Sequence, residues 1–362
     1  MQANTLKHRG KKTRRSLMPK ERLCHLAALF LVVTAVTSYA QTPSQPGPET
    51  IGLSTRADVG SGQNIGIMGL VIGDGPPGEM LIRALGSVPR VSDTSKPLSE
   101  PTLTLFDSRE RMIATSTGWT NAPQISPAFY WGPELDNPSD LIVAQRKDPA
   151  VRPATAKDMA EAGAGALRAD SPDSALVALL PPGAYTIKVS GVPSDAEPDV
   201  PSTGIALAEI YEMGGRERTR IINMSTRVFV GKGRSVNVSG LVLASSRQHN
   251  FLVRAVGPTL GRFDVMGALR HPVLTILDSA GAVVATNTGW GNPVVAGRAI
   301  STVSVRPATA MDMDSVGAFR LHDNSFDCAL VVTVPSGSVT VKVSGSEGSQ
   351  GVALAESYPL ER

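Results

Sequence analysis

The sequence predicts an all-β protein built from two homologous antiparallel β-sandwich domains in tandem, jelly-roll-like in form. Short apolar segments alternate with turns rich in glycine and proline, of which the chain has 35 and 27 among 362 residues. The same order of segments and turns occurs twice. Many short strands between such turns are typical of sandwiches and jelly rolls. With 41% hydrophobic and 19% charged residues, the composition excludes a disordered chain.

Residues 1–40 have the pattern of an export signal. Eight Lys and Arg residues precede or flank the start of an apolar run from Leu26 to Val36, and small residues at Ser38 and Ala40 predict cleavage after Ala40. The run is short for a membrane span, although an uncleaved anchor remains the alternative. The general secretory route is favoured over a twin-arginine route, and Met18 is an alternative start. Residues 41–50 form a linker.

Removal of this signal changes the charge of the chain. The formal charge of +3 includes eight of the 35 basic residues and one of the 32 acidic residues within 1–40, so the remainder has 27 basic and 31 acidic residues. A net charge of −4 without a basic stripe argues against a nucleic-acid partner. We therefore expect an exported protein in the periplasm, at the cell surface or outside the cell, with no integral membrane span after cleavage. The sequence does not indicate an oligomeric state.

The chain after residue 40 contains two copies of one sequence unit. Ser54-Thr55-Arg56 recurs 171 residues later, and Val151–Met159 recurs 154 residues later as Val305–Met313. The separation between matching residues falls from 171 to 154, which indicates an insertion at about 124–150 in the first copy. These matches predict a first repeat over 51–213, a linker over 214–220 and a second repeat over 221–362.

Apolar runs and turn residues define the strands of one unit. The predicted strands of the first copy cover 65–72, 80–85, 102–106, 112–115, 174–180, 184–189 and 205–211. In the second copy, the turn that follows the third of these has Gly281 where a positive φ is favourable. One short helix is predicted within 155–166, with Met159 on its buried side.

The first unit contains the motifs STR, VG.G, GLV, RA.G, PTLTLFDS, GW, LPPG.YT.KVSG and ALAE.Y, and the second repeats them in full or, as PVLTILDS and VPSGSVTVKVSG, in part. Together they resemble a tandem β-rich repeat of exported bacterial proteins of unknown function. The LFDS hairpin is also weakly similar to the pre-peptidase C-terminal type of β-sandwich. The resemblance implies export and a β fold, and it brings no catalytic residues.

Two arginines stand inside apolar strands at the same place in both copies. A buried guanidinium needs a carboxylate or carbonyl partner. We expect the pairs Arg83–Glu209 and Arg254–Glu356, with Asp107 and Asp278 as competing partners and ligand binding as the alternative role.

Aromatic residues are only 4% of the chain, so each tryptophan and each aromatic cluster stands out. Trp119 and Trp290 follow Thr-Gly in both copies and are expected to plug the core, with sugar stacking as the alternative. The insertion of the first copy contains Phe129, Tyr130 and Trp131. This cluster either packs against its own domain or forms an exposed contact for a glycan or a cell-surface protein.

We find no catalytic motif, metal-ligand spacing or cofactor fingerprint. Cys328 is the one cysteine after residue 40, and it is expected to be a small buried residue. The sequence therefore favours an exported, non-enzymatic structural or binding module. The alternative is a secreted hydrolase, or an accessory protein of one, with its site in the insertion.

Overall fold

The computed structural model describes residues 50–86, 96–129, 148–194, 197–213, 221–233, 235–243, 248–290, 302–335 and 337–360. These residues form 21 strands, two short α-helices and three 3₁₀ turns. The all-β, antiparallel prediction is confirmed. The predicted signal over 1–40 and the linkers at 41–50 and 214–220 lie outside the described residues, apart from Thr50.

The strands of the first copy agree with the predicted segments and add to them. They are β1 (Thr50–Val59), β2 (Gly66–Ile72), β3 (Gly78–Leu85), β4 (Pro101–Phe106), β5 (Met112–Thr117), β6 (Gln124–Ile125), β7 (Ala150–Pro153), β8 (Ser174–Leu180), β9 (Gly183–Gly191), β10 (Pro193–Ser194), β11 (Glu197–Pro201) and β12 (Gly204–Glu212). The helix α1 covers Ala156–Glu161.

The second copy repeats this order with fewer elements. Its strands are β13 (Ile221–Val230), β14 (Asn237–Leu243), β15 (His249–Val256), β16 (Pro272–Leu277), β17 (Val283–Asn287), β18 (Ser304–Pro307), β19 (Cys328–Val334), β20 (Gly337–Gly345) and β21 (Gly351–Leu360). The helix α2 covers Ala310–Ser315. The turn before β17 has Gly281 at φ 78°, as predicted.

All strands except the β10–β11 pair belong to one hydrogen-bonded system, which consists of two long antiparallel runs. The first run has the order β7-β8-β3-β12-β1-β14-β20-β16-β17. The second has the order β6-β5-β4-β9-β2-β13-β21-β15-β19-β18. A bridge between Asp58 and Phe229 joins the two runs.

The first strand of each copy pairs with a strand of the other copy. β1 lies between β12 of its own half and β14 of the second half, and β13 lies between β21 of its own half and β2 of the first. Each run therefore contains strands from both copies. The boundary predicted between residues 213 and 221 stays a prediction, but the hydrogen bonds of β1 and β13 cross it.

The main core lies between the two runs. Alternate residues of β1 and β3, such as Leu53 and Met80, pack in one cluster with alternate residues of β2 and β9, such as Met68 and Ile187. A separate apolar cluster lies under α1, and another lies under α2. Each helix covers an outer sheet face, and the repeated arginines lie under these covers.

Candidate functional site

The repeated arginine and glutamate of the first copy lie directly opposite each other on neighbouring strands. The register of β3 and β12 pairs Arg83 with Glu209, so both side chains leave the same sheet face. Arg83 Nε donates to Glu209 Oε2 at 3.0 Å, and Nη2 contacts the same oxygen. Nη1 donates to the carbonyl of Gly165 at 2.5 Å. Tyr211 donates its hydroxyl to Glu209 Oε1 at 2.9 Å. Carboxylate and guanidinium are thus both occupied within the fold.

The second copy repeats the arrangement with deeper burial. Arg254 Nε donates to Glu356 Oε2 at 3.0 Å, and Nη1 donates to the carbonyl of Phe319 at 2.5 Å. The hydroxyl of Tyr358 donates to Glu356 Oε1 at 2.6 Å. Arg254 is 0% exposed, and its Cζ lies 4.2 Å from the centre of the Phe319 ring. The structure therefore brings together both pairs that the sequence indicates, as buried ion pairs between neighbouring strands.

Burial and charge together set the ionisation of these groups. Burial opposes the charged form of Arg254, but the Glu356 carboxylate holds the pKa of the guanidinium above its ordinary value. Burial, followed by the Glu209 charge, raises the pKa of Tyr211 to about 12. Burial likewise raises the pKa of Tyr358 well above its ordinary value. At neutral pH the tyrosines stay protonated and serve as hydrogen-bond donors.

The repeated Val-Arg-Pro-Ala-Thr segment holds the helix that covers each arginine. Thr155 caps α1 in a reciprocal capping box with Asp158, and Arg152 Nη1 donates to Asp158 Oδ2 at 2.9 Å. Met159 then packs beneath the helix, with its sulfur 3.2 Å from Arg83 Nη1. In the second copy, Thr309 and Asp312 form the same capping box on α2, beside Arg306. The segment thus positions a cover over the buried ion pair.

Arg306 also keeps Asp312, in the capping box of α2, in its charged form. Its hydrogen bond to Asp312 lowers the pKa of that carboxyl to about 2, against the opposing effect of burial. The carboxylate therefore stays ionised throughout the physiological pH range and keeps the N-terminus of the helix in place.

The competing partners, Asp107 and Asp278, are occupied elsewhere. Asp107 Oδ1 accepts hydrogen bonds from the backbone N–H groups of Arg109 and Arg111, each at 2.9 Å. Asp278 binds the corresponding amides of its own turn at 3.0 and 2.9 Å. Both carboxylates stabilise hairpin turns and do not meet the buried arginines.

The two tryptophans lie at the edges of the covered clusters. Trp119 donates Nε1–H to the carbonyl of Arg168 at 2.7 Å and packs against the cluster under α1. Trp290 packs against the corresponding cluster of the second copy. Both are partly buried. This placement agrees with side chains that fill the edge of the apolar core.

The aromatic cluster of the insertion requires one correction. Phe129 is 2% exposed and packs in the main core, with Arg111 Cζ 5.2 Å from the centre of its ring. It is therefore not a surface contact, because the chain turns this side chain inward at a short 3₁₀ turn. Tyr130 and Trp131 lie outside the described residues.

Cys328 is buried at the start of β19. Its thiol lies 3.2 Å from the carbonyl of Pro272 and 3.1 Å from that of Asn287. Burial raises its pKa to about 12. In the first copy, the Ser174 hydroxyl occupies the corresponding position and bonds the carbonyls of Pro101 and Ser116. The thiol is thus a packing and hydrogen-bonding group.

The part of the chain that the structure describes has no cluster of three or more His, Cys, Asp and Glu residues arranged to hold a metal ion. Within the same residues, no helix has the length and hydropathy needed to cross a bilayer.

One buried arginine was not identified by the sequence reasoning. Arg227 lies on β13 at the junction of the two copies and is 6% exposed. Its burial lowers the pKa of the guanidinium. The available signal was the Ser-Thr-Arg motif, which occurs at the corresponding position in both copies and includes Arg227.

The described residues define an all-β protein in which the two halves of the chain share their sheets, and in which buried Arg–Glu pairs connect neighbouring strands. No protein-family model and no curated protein matches the chain.

Proposed function

We propose that this chain is an exported, non-enzymatic structural or binding module that presents loops and sheet faces to a glycan or a protein outside the cytoplasm. One observation carries the proposal. The constellation of ionisable groups repeated in both halves, Arg-Glu-Tyr under a capped helix, is enclosed and hydrogen-bonded within the fold. Such groups stabilise a scaffold and are not open to a substrate.

The outer sheet face of the first half supports a role in presenting a surface to a glycan or a protein. Threonine hydroxyls face one another across β4 and β5, with Thr104 Oγ1 3.1 Å from Thr115 Oγ1. Lys188 lies opposite Thr104 on β9. The corresponding face of the second half pairs Thr275 with Lys342. Two partly exposed polar sheet faces of the same composition fit a protein that displays surfaces rather than one that encloses a reaction.

The test uses the chain from residue 41 onward on arrays of glycans and exported proteins. We expect binding without chemical change of the ligand, and we expect Trp131→Ala or Tyr130→Ala to weaken it if the insertion provides the contact. Phe129→Leu is the matched control, because this neighbouring aromatic is buried and should affect stability more than binding.

Turnover of any arrayed substrate that survives Trp131→Ala would contradict the proposal and favour the hydrolase alternative. Binding that persists in the Tyr130 and Trp131 variants, but is lost when Lys188 or Lys342 is changed to Met, would move the contact to the sheet faces and keep the proposed class.

A further inference from the structure

The junction between the two copies contains a buried arginine that no carboxylate of the described residues meets. Arg227 is 6% exposed, and its Nε has no hydrogen-bond partner within the described part of the chain. Burial alone accounts for the lowered pKa of this guanidinium, without an opposing carboxylate. The same strand carries Asn223, which is 2% exposed and whose Nδ2 has no partner there either.

This isolation contrasts with the other deeply buried arginines. Arg83 and Arg254 each have a glutamate, a backbone carbonyl and an aromatic ring around the guanidinium. The fold therefore fully compensates the charge where an arginine has only a structural role. An uncompensated buried charge is strongly destabilising, so Arg227 calls for a partner of opposite charge.

The sheet register places a second cation near Arg227. Ile67 of β2 lies opposite Arg227, and Lys188 of β9 lies opposite Ile67 on its other side. Two strand spacings separate Arg227 from Lys188, about 10 Å between backbones. Both side chains are long enough to converge on a group between them. Lys188 is partly exposed, so this side of the face is open to solvent.

Hydroxyl groups occupy the adjacent row of the same face. Ser225 lies opposite Gly69, and Gly69 lies opposite Thr186. Because residues two apart on a strand share a face, the two hydroxyls lie on the same side as the two cations. Ser225 is 5% exposed. Two cations beside two hydroxyls form a set of donors that suits an oxyanion, which offers several acceptor oxygens.

We propose that Arg227 and Lys188, assisted by Ser225 and Thr186, bind an oxyanion group: a carboxylate, a sulfate or a phosphate. The site combines an arginine of the second copy with a lysine of the first, so it depends on the insertion of β13 beside β2. This goes beyond a general presenting role, because it assigns a ligand chemistry and a place. The group comes either from a free inorganic anion or from an acidic sugar, and the experiment separates these sources.

The experiment measures binding and thermal unfolding with the chain from residue 41 onward. Sodium sulfate, sodium phosphate and sodium glucuronate are compared with sodium chloride at equal ionic strength, since sulfate also stabilises proteins nonspecifically. We expect at least one of the three anions to bind by calorimetry and to raise Tm. In Arg227→Met, binding should weaken about tenfold or more, as expected for the loss of a charge-assisted hydrogen bond.

Arg227→Met has a second expected effect that a merely structural arginine would not give. In chloride alone its Tm should equal or exceed that of the unmodified chain, because the substitution removes an uncompensated buried charge. Arg262→Met is the charge-matched control: Arg262 is exposed, and its loss should leave the anion response unchanged. If Arg227→Met does not fold, Lys188→Met provides the same test at a partly exposed position.

Each outcome decides the proposal. Binding of sulfate or phosphate that is lost in Arg227→Met supports a free-anion site, and binding of glucuronate lost in the same variant supports an acidic sugar. Equal responses of Arg227→Met, or of Lys188→Met in its place, and the unmodified chain would overturn the proposal. So would the absence of binding of all three anions to the unmodified chain.

Discussion

The hydroxyl oxygens of Thr55 and Thr226 lie 3.1 Å apart, although 171 residues separate them in the chain. These two threonines occupy the same position in the two copies. A contact between equivalent residues is the mark of a local two-fold axis. The strand pairings between the copies have the same symmetry, because Ser54 lies opposite Gly240 and its equivalent Ser225 lies opposite Gly69. The copies are thus related by an approximate two-fold axis, and the first strand of each pairs with one strand of its own copy and one of the other.

The pairing of β1 with β14 predicts a specific cross-link between the halves. A Cβ atom at Gly240 would lie 2.8 Å from Ser54 Oγ, so the double variant Ser54→Cys with Gly240→Cys should oxidise to a disulfide. Mass spectrometry of the digested, unreduced protein would identify the linked peptides. The matched control, Ser54→Cys with Gly69→Cys, should stay reduced. A cross-link in the control and none in the first pair would show that β1 pairs with β2 of its own copy.

Breaking the buried Arg254–Glu356 ion pair should cause a large loss of stability, which removal of both charges should largely restore. Arg254→Met should reduce the free energy of unfolding by about 3–5 kcal/mol, because it leaves the enclosed Glu356 carboxylate without its cation. Adding Glu356→Leu should restore most of the loss, since no buried charge then remains. Urea unfolding of the single and double variants measures both effects. Arg320→Met, which breaks an exposed pair with Asp314, should change stability little. Equal losses in the single and double variants would contradict the prediction.

Two glycines of the repeated Arg-Ala-x-Gly segment predict a steric effect. A Cβ atom at Gly86 would lie 1.7 Å from the carbonyl oxygen of Leu98, and one at Gly257 would lie 2.0 Å from that of Leu269. Each glycine also donates its N–H to a buried aspartate, as Gly86 does to Asp173 at 2.8 Å. Gly86→Ala and Gly257→Ala should therefore each destabilise by about 2 kcal/mol or more. Thermal unfolding tests this, with Gly261→Ala as the control, because no atom lies within 4 Å of its added methyl group. A neutral result at Gly86 would show that the strand end can move aside.

The thiol of Cys328 predicts a dependence of labelling on folding and pH. Because burial raises its pKa to about 12, the folded protein holds the unreactive protonated form up to and beyond pH 9. Iodoacetamide should therefore leave Cys328 unlabelled in the folded protein at pH 8 and label it fully in urea. Cys328→Ser should retain the fold, since Ser174 makes the corresponding bonds in the first copy. Rapid labelling of Cys328 in the folded protein would contradict the burial of its thiol.

Apolar alternation identified the regular strands well. The predicted strand over 174–180 matches β8, and the predicted helix contains α1, with Met159 1% exposed. The pairing of Arg83 with Glu209 followed from the high cost of an isolated buried charge. These features depend on local pattern or on a simple electrostatic requirement, so the sequence alone reveals them.

The first strand of each copy was not predicted. The Ser-Thr-Arg segment in the middle of β1 and β13 interrupts the apolar positions of the strand, although β1 does alternate, with Leu53, Ala57 and Val59 buried between partly exposed polar residues. It becomes strand because two neighbours, one from each copy, satisfy its backbone on both sides. Phe129 was similarly ambiguous, because a loop aromatic points inward or outward according to the space that the surrounding strands leave.

The sequence by itself determined the duplicated β unit, its turns and its internal ion pairs, because these follow from periodicity, glycine positions and the cost of unpaired charge. Only the tertiary structure decided that the first strand of each copy pairs with a strand of the other copy, and that Arg227 and Lys188 lie on either side of Ile67. Those relationships join residues far apart in the chain through backbone hydrogen bonds, and backbone groups are the same in every residue. The pairing of a strand with its own copy or with the other copy therefore leaves almost no mark in the side-chain pattern.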